Sequence, residues 1–311
     1  MSAPEPKVNV VMLAYNHEQF IGEALASVLA QQVDFPYTII VGEDCSTDGT
    51  RAIVESYRQR YPDRIKPIYQ ARNLGPGANL KACLAACQAP YIAALDGDDY
   101  WTDPRKLAKQ VAWLDANPDF SLCFHHVEIF RQPGQVLRVQ PALTSQTVYV
   151  FTELLWEVSP PTGSVVLRNC IPDLPAWVFE TYPMDVPLFV LYAEAGRAKL
   201  LPEIMGRYRH HAGGTWVGQP AERNRQRLLA MYRLLFQHYA HTPHIRQLKR
   251  VISRLHLTMA DECIKQGQPA SAGRILNETA RLWPHYTPRH AKSFVGVSLR
   301  WLRSYLRPAR V

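Results

Sequence analysis

The stretch PYIAALDGDDYW, residues 90–101, runs from an apolar segment into a cluster of acids. Its first six residues are mostly apolar and of strand length, so we predict a buried strand over residues 90–95 that ends where the acids begin. Asp96, Asp98 and Asp99 then place three carboxylates within four residues. In an open parallel sheet, ligands bind beyond the carboxyl ends of the strands, so we expect these acids at a ligand-binding edge.

Carboxylates this close together repel one another, which favours a bound divalent cation. A hard cation takes carboxylate oxygens and keeps coordination positions for phosphate oxygens. The alternative is a solvated acidic turn whose side chains cap nearby backbone groups. The sequence around the turn favours the cation-binding interpretation.

Strand and helix patterns alternate on both sides of this stretch. We predict strands at 8–14, 37–44, 65–69, 90–95 and 120–130, separated by helices, and Pro67 indicates an edge strand. This alternation predicts right-handed βαβ units and a mostly parallel sheet. Residues 131–180 are expected to form loops, a hairpin and one short helix, followed by a helix at 184–195 and a strand at 198–209.

The character of the chain changes after Pro220, where long helices are predicted at 221–240, 244–266 and 270–282. We therefore predict an α/β domain over residues 1–218 and an all-helical C-terminal extension over residues 219–311.

Composition limits the function classes. The 311 residues are 47% hydrophobic, which excludes global disorder, and no apolar run is long enough to cross a membrane. The net charge is +8, but seven Lys and Arg and no acids fall between Arg281 and Val311, so a general nucleic-acid-binding surface is excluded. The six cysteines do not resemble a disulfide framework, and no secretory signal is apparent. We expect a cytoplasmic protein.

Polar residues also follow two other predicted strands. Glu43 and Asp44 close the second strand, where an acid can accept a hydrogen bond from a base N–H or a ribose hydroxyl; the alternative is a role in the turn. The first strand ends at Ala14 and Tyr15, and the tyrosine could stack on a base or simply pack.

The ordered motifs resemble the nucleotide-sugar glycosyltransferases of family 2. They cover residues 7–217 and comprise AYN (14–16), VGEDCSTDGT (41–50), RNLGPGAN (72–79) and YIAALDGDDYWTDPRKLAKQ (91–110). The resemblance implies a GT-A fold, with a donor half at about 1–130 and an acceptor half at about 131–218. The DGDDYW variant is similar to bacterial enzymes of surface-polysaccharide assembly.

The resemblance also implies roles for individual residues. It places the donor nucleotide and sugar near Ala14, Tyr15, Glu43, Asp44, Asn79, Lys81, Asp96, Asp99 and Arg209. It makes Asp98 and Asp96 the metal ligands, and YRHHAGGTW (208–216) places His211 beside the cation or the diphosphate. The family usually has two aspartates at 43–44, so Glu43 leaves open which acid reads the base.

Asp185 falls where the family carries its general base. A carboxylate there would take the proton of the acceptor hydroxyl, and the start of a helix would keep it ionised. Glu180 is a nearby rival, and the alternative for Asp185 is an ordinary helix N-terminal residue.

We therefore expect an inverting transferase that uses Mg²⁺ or Mn²⁺. Its donor would be a nucleoside-diphosphate sugar and its acceptor a saccharide or a lipid-linked saccharide, with no nucleic-acid partner. A sugar nucleotidyltransferase and a catalytically inactive nucleotide-sugar-binding scaffold are the alternatives. The first usually has a Gly-rich loop after the first strand, and AYNHEQF offers none.

The basic tail allows two interpretations. The predicted helix has an apolar stripe on one side and arginines on the other. This pattern is typical of a helix that lies in a membrane interface, here the inner face of the cell membrane. The alternative is a helix that docks on residues 221–282. The stripe comprises Val295, Leu299, Leu302 and Leu306, flanked by Phe294, Trp301 and Tyr305, with Arg300, Arg303 and Arg307 on the other side.

Overall fold

A computed structural model describes residues 5–214, 216, 219–282 and 288–306 of the chain. The chain divides into two compact units, residues 1–217 and 218–311. We predicted the boundary between residues 218 and 219, and residue 218 lies outside the described residues.

The first unit is built on a sheet with the strand order β3-β2-β1-β4-β9-β6-β10-β5, with β7 paired to β6 and β8 to β10. The pairs β1–β2, β1–β4, β2–β3 and β6–β10 are parallel, and they include the longest ladders. The strands are β1 (Val8–Ala14), β2 (Tyr37–Glu43), β3 (Ile65–Tyr69), β4 (Tyr91–Asp96), β5 (Tyr100–Trp101), β6 (Phe120–Gln132), β7 (Gln135–Gln140), β8 (Val148–Tyr149), β9 (Val166–Arg168) and β10 (Arg197–Arg209).

Helices flank this sheet. They are α1 (Ile21–Leu29), α2 (Thr50–Arg60), α3 (Pro76–Ala85), α4 (Lys106–Ala116), α5 (Phe151–Leu154) and α6 (Asp185–Ala195), with 3-10 turns at Thr162–Ser164 and Ala176–Glu180. The alternation read from the sequence is confirmed, and β3, which contains Pro67, is an edge strand. The buried faces of β1, β2, β4 and the adjoining helices form one apolar core.

The register of the central strands sets the position of the site. Ala14 lies opposite Glu43, and Leu13 lies opposite Asp96. Because β1 runs parallel to both neighbours, residues 14–16, 43–44 and 96–99 leave the sheet together at its carboxyl edge.

Strand β6 is covered on both faces. His125 and His126 are neighbours in the strand and point to opposite faces, and both are buried. The reason is that β6 lies inside the sheet between β9 and β10, and α4 and α6 both pack against it.

The second unit contains α7 (Ala221–His238), α8 (Ile245–Lys265), α9 (Pro269–Ala280) and α10 (Pro288–Leu306). Helix α10 packs through Phe294, Val297 and Trp301 into an apolar cluster with residues of α8 and α9. The predicted stripe of Val295, Leu299 and Leu302 is instead exposed, so α10 docks through the neighbouring face. The side chains of Tyr305 and Leu306, and all of Arg307, lie outside the described residues. Among the described helices none is long and apolar enough to span a bilayer.

Candidate active site

The acidic turn after β4 is held by backbone hydrogen bonds. The N–H of Gly97 donates to the carbonyl of Leu13 (2.9 Å), and the N–H of Asp99 donates to the carbonyl of Asp96 (3.1 Å). The turn therefore keeps its three carboxylates close to the end of β1. Asp99 is almost fully buried, whereas the Asp98 side chain is 19% exposed.

The three carboxylates have unlike electrostatic environments. Burial, with the charges of Asp98 and Asp185, raises the pKa of Asp96 to about 7. Burial, with the charges of Asp98 and Asp96, raises the pKa of Asp99 well above its usual range. Burial alone would raise the pKa of Asp98. The hydrogen bond from His211 and the nearby imidazoles of His17 and His211 outweigh this effect, and the pKa of Asp98 is lowered. The protein therefore favours the ionised form of Asp98 and disfavours the ionised forms of Asp96 and Asp99.

This donor set suits a divalent cation, because carboxylate and imidazole groups are ordinary ligands for such ions. Asp98 and His211 are in direct contact, with Nε2 of His211 3.0 Å from Oδ2 of Asp98. Within residues 5–214, 216, 219–282 and 288–306, no three His, Cys, Asp or Glu side chains are already arranged as a metal-binding group. The fit therefore rests on the chemistry of the donors and on the contact between Asp98 and His211.

Arg209 is turned into the protein. Its backbone N–H donates to Oδ1 of Asp99 (2.8 Å), and its guanidinium donates to the carbonyl of Asp98 (2.9 Å) and to Glu23 (2.6 Å). The guanidinium also lies over the rings of Phe20 (4.7 Å) and Phe130 (4.8 Å). Arg209 thus supports the acidic turn, and its place near the donor stays a prediction.

The acids after β2 also have partners within the protein. Glu43 is fully buried; it accepts from the N–H of Ser46 (2.6 Å) and pairs with Arg51. The oxygens of Asp44 accept from the N–H groups of Leu74 (2.7 Å) and Gly75 (2.9 Å). Both acids therefore shape the loops at this edge, and either base contact stays a prediction.

Three other predicted donor residues lie around these loops. The carbonyl of Ala14 accepts from the N–H of Asp44 (3.0 Å), and Tyr15 beside it is 43% exposed, as a stacking residue must be. Asn79 is buried and donates to the carbonyl of Gly42 (2.7 Å), so it anchors α3 to β2.

Helix α3 joins the donor side to the segment before α6. Lys81 is exposed, with Nζ 5.9 Å from the centre of the Phe179 ring. At Gly77 the two segments meet so closely that a Cβ atom would lie 1.8 Å from the carbonyl oxygen of Phe179.

Asp185 is the first residue of α6, where we expected it. Its Oδ1 accepts from the N–H of Val186 (2.9 Å). The expectation that the helix start keeps this acid ionised is wrong, because burial outweighs the backbone hydrogen bonds and raises its pKa to about 6. Asp185 is close enough to Asp96 to raise the pKa of that acid. The rival Glu180 is exposed at the end of the 176–180 turn.

Sequence reasoning missed His17. Its Nε2 lies 3.7 Å from Oδ2 of Asp98, so it belongs to the same cluster as His211. The only signal was its place directly after the AYN motif, at the ligand-binding edge of β1.

Comparison with known proteins gives a consistent result. Residues 9–163 match Glycosyl transferase family 2. Uncharacterized protein Rv1520 of Mycobacterium tuberculosis is 39% identical over 220 residues, which are 70% of this chain and 63% of that protein. The aligned region thus spans less than two thirds of that relative. Poly(ribitol-phosphate) beta-N-acetylglucosaminyltransferase TarS of Staphylococcus aureus is 35% identical over 112 residues, 35% of this chain and 19% of TarS.

Solved structures show the same fold. The crystal structure of S. aureus TarS 1–349 in complex with UDP-GlcNAc superposes with a TM-score of 0.70 and 18% identity, over 96% of this chain and 89% of that one. Mannosyltransferase PcManGT from Pyrobaculum calidifontis, in complex with GDP-Man and Mn²⁺, superposes with a TM-score of 0.54 and 20% identity. The match covers 95% of this chain and 81% of that one. These likenesses confirm the predicted GT-A fold with its mostly parallel sheet.

Proposed function

Because the chain belongs to glycosyltransferase family 2, we propose that it is an inverting, divalent-cation-dependent glycosyltransferase. It moves a sugar from a nucleoside-diphosphate sugar to a hydroxyl of a saccharide or glycolipid acceptor. The observation that carries this proposal is the cluster of Asp96, Asp98 and Asp99 at the carboxyl edge of the sheet. Asp185 is close enough to this cluster to raise the pKa of Asp96.

On the donor side, Asp96, Asp98 and His211 would hold Mg²⁺ or Mn²⁺. When bound, the cation would neutralise the diphosphate and make it a better leaving group. Asp99 holds the sugar, Tyr15 stacks on the base, and the loops around Glu43 and Asp44 enclose the nucleoside. Asn79 and Lys81 line the approach to the nucleotide, and Arg209 keeps the acidic turn in place.

On the acceptor side, Asp185 takes the proton from the attacking hydroxyl. The acceptor oxygen then bonds to the anomeric carbon while the bond from that carbon to the diphosphate oxygen breaks, so the electron pair leaves with the diphosphate. One displacement inverts the anomeric configuration and needs no covalent intermediate. A raised pKa suits Asp185, because a base works best when its pKa is near the working pH.

The relatives support this chemistry over the alternatives. Membership of family 2 favours glycosyl transfer over nucleotidyl transfer. The solved structures of TarS in complex with UDP-GlcNAc and of PcManGT in complex with GDP-Man and Mn²⁺ support a nucleotide-sugar donor and a cation. TarS is named for a poly(ribitol-phosphate) acceptor, which supports a role in cell-surface polysaccharide synthesis. An inactive scaffold would bind donor but neither hydrolyse nor transfer it.

A thermal-shift panel of nucleoside diphosphates and their sugars, with and without Mn²⁺, tests the proposal. A ligand at 100 times its dissociation constant adds about 2.7 kcal/mol of stability, so the preferred donor stands out from the rest. We expect the shift to require Mn²⁺ and the preferred donor to be slowly hydrolysed. If no nucleotide shifts the transition with Mn²⁺ or Mg²⁺, the proposal is wrong.

We also propose that α10 lies on the inner face of the cell membrane, where a lipid-linked acceptor would be found. Its exposed Val295, Leu299 and Leu302 are 54%, 50% and 44% accessible, and Arg303 lies beside Leu302 in the sequence. Arg300, between Leu299 and Leu302 in the sequence, is paired with Asp261 of α8 (2.7 Å). A basic residue near an anionic surface contributes about 1 kcal/mol to binding.

The membrane proposal can be tested without unfolding the helical unit. Replacing Val295, Leu299 and Leu302 by Ser leaves the packed Phe294, Val297 and Trp301 in place. We expect the wild type, but not this variant, to co-sediment with anionic liposomes at low salt. Equal sedimentation of both proteins would contradict the proposal.

A further inference from the structure

Asp98 is approached by histidines from two distant loops. Nε2 of His211 lies 3.0 Å from its Oδ2, and Nε2 of His17 lies 3.7 Å from the same oxygen. His17 follows β1 and His211 follows β10, so the two rings reach one carboxylate oxygen from separate parts of the chain. The His17 side chain is 18% exposed.

The backbone of His17 is fixed on both sides. Its N–H donates to Oγ1 of Thr50 (2.7 Å), and its carbonyl accepts from the N–H groups of Phe20 (2.9 Å) and Ile21 (2.8 Å) at the start of α1. The peptide that carries the ring therefore has little freedom to move.

The neighbours of His17 bind the loop after β2 reciprocally. The N–H of Glu18 donates to Asp48 (3.1 Å), and the Glu18 carboxylate accepts from the N–H of Gly49 (2.8 Å). Asn16 is held in the same way: its N–H donates to Oγ of Ser46 (3.1 Å) and its side chain accepts from the N–H of Thr47 (2.9 Å). These hydrogen bonds fix the loop that carries His17 to the loop after β2.

The His17 ring packs against the acidic turn itself. A Cβ atom on Gly97 would lie 2.9 Å from Nδ1 of His17, so the ring is in contact with the backbone at Gly97. In the described part of the chain Nδ1 has no hydrogen-bond partner. The ring is thus placed with one edge on the turn and Nε2 towards the Asp98 carboxylate.

We propose that His17 is a positioning residue of the cation site, which acts by holding the Asp98 carboxylate in place. Asp96 and Asp99 repel Asp98 when they are ionised, and the His17 imidazole gives Oδ2 of Asp98 a favourable position that opposes this repulsion. The inference rests on the proposed function, because it concerns the same cation. Groups that orient a metal ligand typically change metal affinity about 10–100-fold when they are replaced.

Two amide variants of different length test the inference. His17→Gln places an amide nitrogen about as far from the backbone as Nε2, whereas His17→Asn keeps the contact with Gly97 but does not reach Asp98. His210→Asn is the matched control. His210 precedes His211 in the sequence but is not one of the two histidines that approach Asp98. Affinity for Mn²⁺ and for Mg²⁺ is measured by isothermal titration calorimetry without nucleotide, with Mn²⁺ affinity checked by electron paramagnetic resonance.

We expect His17→Asn to bind both ions about tenfold more weakly, and His17→Gln and His210→Asn to bind within about threefold of wild type. The melting temperature without ions should be similar in all four proteins. If His17→Asn binds both ions as wild type does, the inference is overturned. If it loses Mn²⁺ but keeps Mg²⁺, His17 is a direct ligand and the positioning role is also overturned. A wild type that binds neither ion contradicts the proposed cation dependence itself.

Discussion

Nε2 of His211 lies 3.0 Å from Oδ2 of Asp98, although 113 residues separate them in the sequence. The contact joins the segment after β10 to the turn after β4, while β9 and β6 lie between these strands in the sheet. Asp98 is thereby the one acid of the turn whose pKa the protein lowers, and it is ionised when a cation arrives.

Asp98→Asn should abolish cation-dependent donor binding. The amide keeps the size of the side chain but loses the charge that attracts the ion. The thermal shift given by Mn²⁺ with the preferred nucleotide should disappear, while circular dichroism shows an intact fold. Asp63→Asn, at an exposed acid of the same unit, is the control and should keep the full shift. Wild-type donor affinity in Asp98→Asn at limiting Mn²⁺ would contradict the assignment.

Asp185→Asn should lose turnover and keep donor affinity, because it removes a base and not a ligand. Loss of a general base commonly costs about 10²–10⁴-fold in rate. Transfer is followed by release of nucleoside diphosphate, and donor affinity by calorimetry. Glu180→Gln, at the exposed rival acid, should transfer at nearly the wild-type rate. If Glu180→Gln loses turnover and Asp185→Asn keeps it, Glu180 is the base.

The rate of transfer should rise with pH through about 6. Burial raises the pKa of Asp185 to about 6, and only its ionised form accepts the acceptor proton, so the protonated enzyme below this pH is inactive. The measurement is the rate at saturating donor and cation between pH 5 and 8. The residual rate of Asp185→Asn should lack this rise, and a rise of equal size in that variant would assign it to another group.

Lys106→Met should stabilise the protein. Lys106 is fully buried, its Nζ lies 3.9 Å from the centre of the Trp101 ring, and it has no hydrogen-bond partner within the described residues. Burial lowers its pKa to about 7, below the value near 10.5 expected in the unfolded chain. Unfolding therefore takes up a proton between these values, so the wild type loses stability as pH falls from 10.5 to 7.

The advantage of Lys106→Met should accordingly be largest at pH 7 and below and shrink towards pH 10. Each kcal/mol of stabilisation raises the melting temperature by about 2–4 °C in a domain of this size. Lys109→Met is the control; Lys109 is one turn away, paired with Asp103 and partly exposed, so its replacement should not raise the melting temperature. A lower melting temperature in Lys106→Met at pH 6.5 would show that the contact with Trp101 outweighs the cost of burial.

The fold could be predicted closely because its signals are local. The apolar runs of β1, β2 and β4 end within one or two residues of the predicted positions, and the acids after β4 follow directly from where that strand ends. Asp185 could be placed on a helix start for the same reason.

Contacts between distant loops could not be predicted. Nothing local shows that His17 reaches Asp98, because a histidine in a loop has no periodic pattern. The sequence likewise could not show that the guanidinium of Arg209 is held by Glu23 and the carbonyl of Asp98, or that Glu43 pairs with Arg51. These partners depend on how loops from four strand ends meet at one edge of the sheet.

Replacement of either glycine of NLGPGAN is costly, but for unlike reasons. Gly75 has φ of 81° and ψ of 162°, a region that only glycine visits freely, yet among the described residues beyond its chain neighbours no atom lies within 4 Å of where its Cβ would stand. At Gly77 the obstacle is the Phe179 carbonyl, which is backbone and cannot be shortened by a second substitution. In a mutational scan, losses at position 75 should therefore be recoverable by general stabilisation of the domain. Losses at position 77 should resist every compensating change that leaves the 176–180 turn where it is.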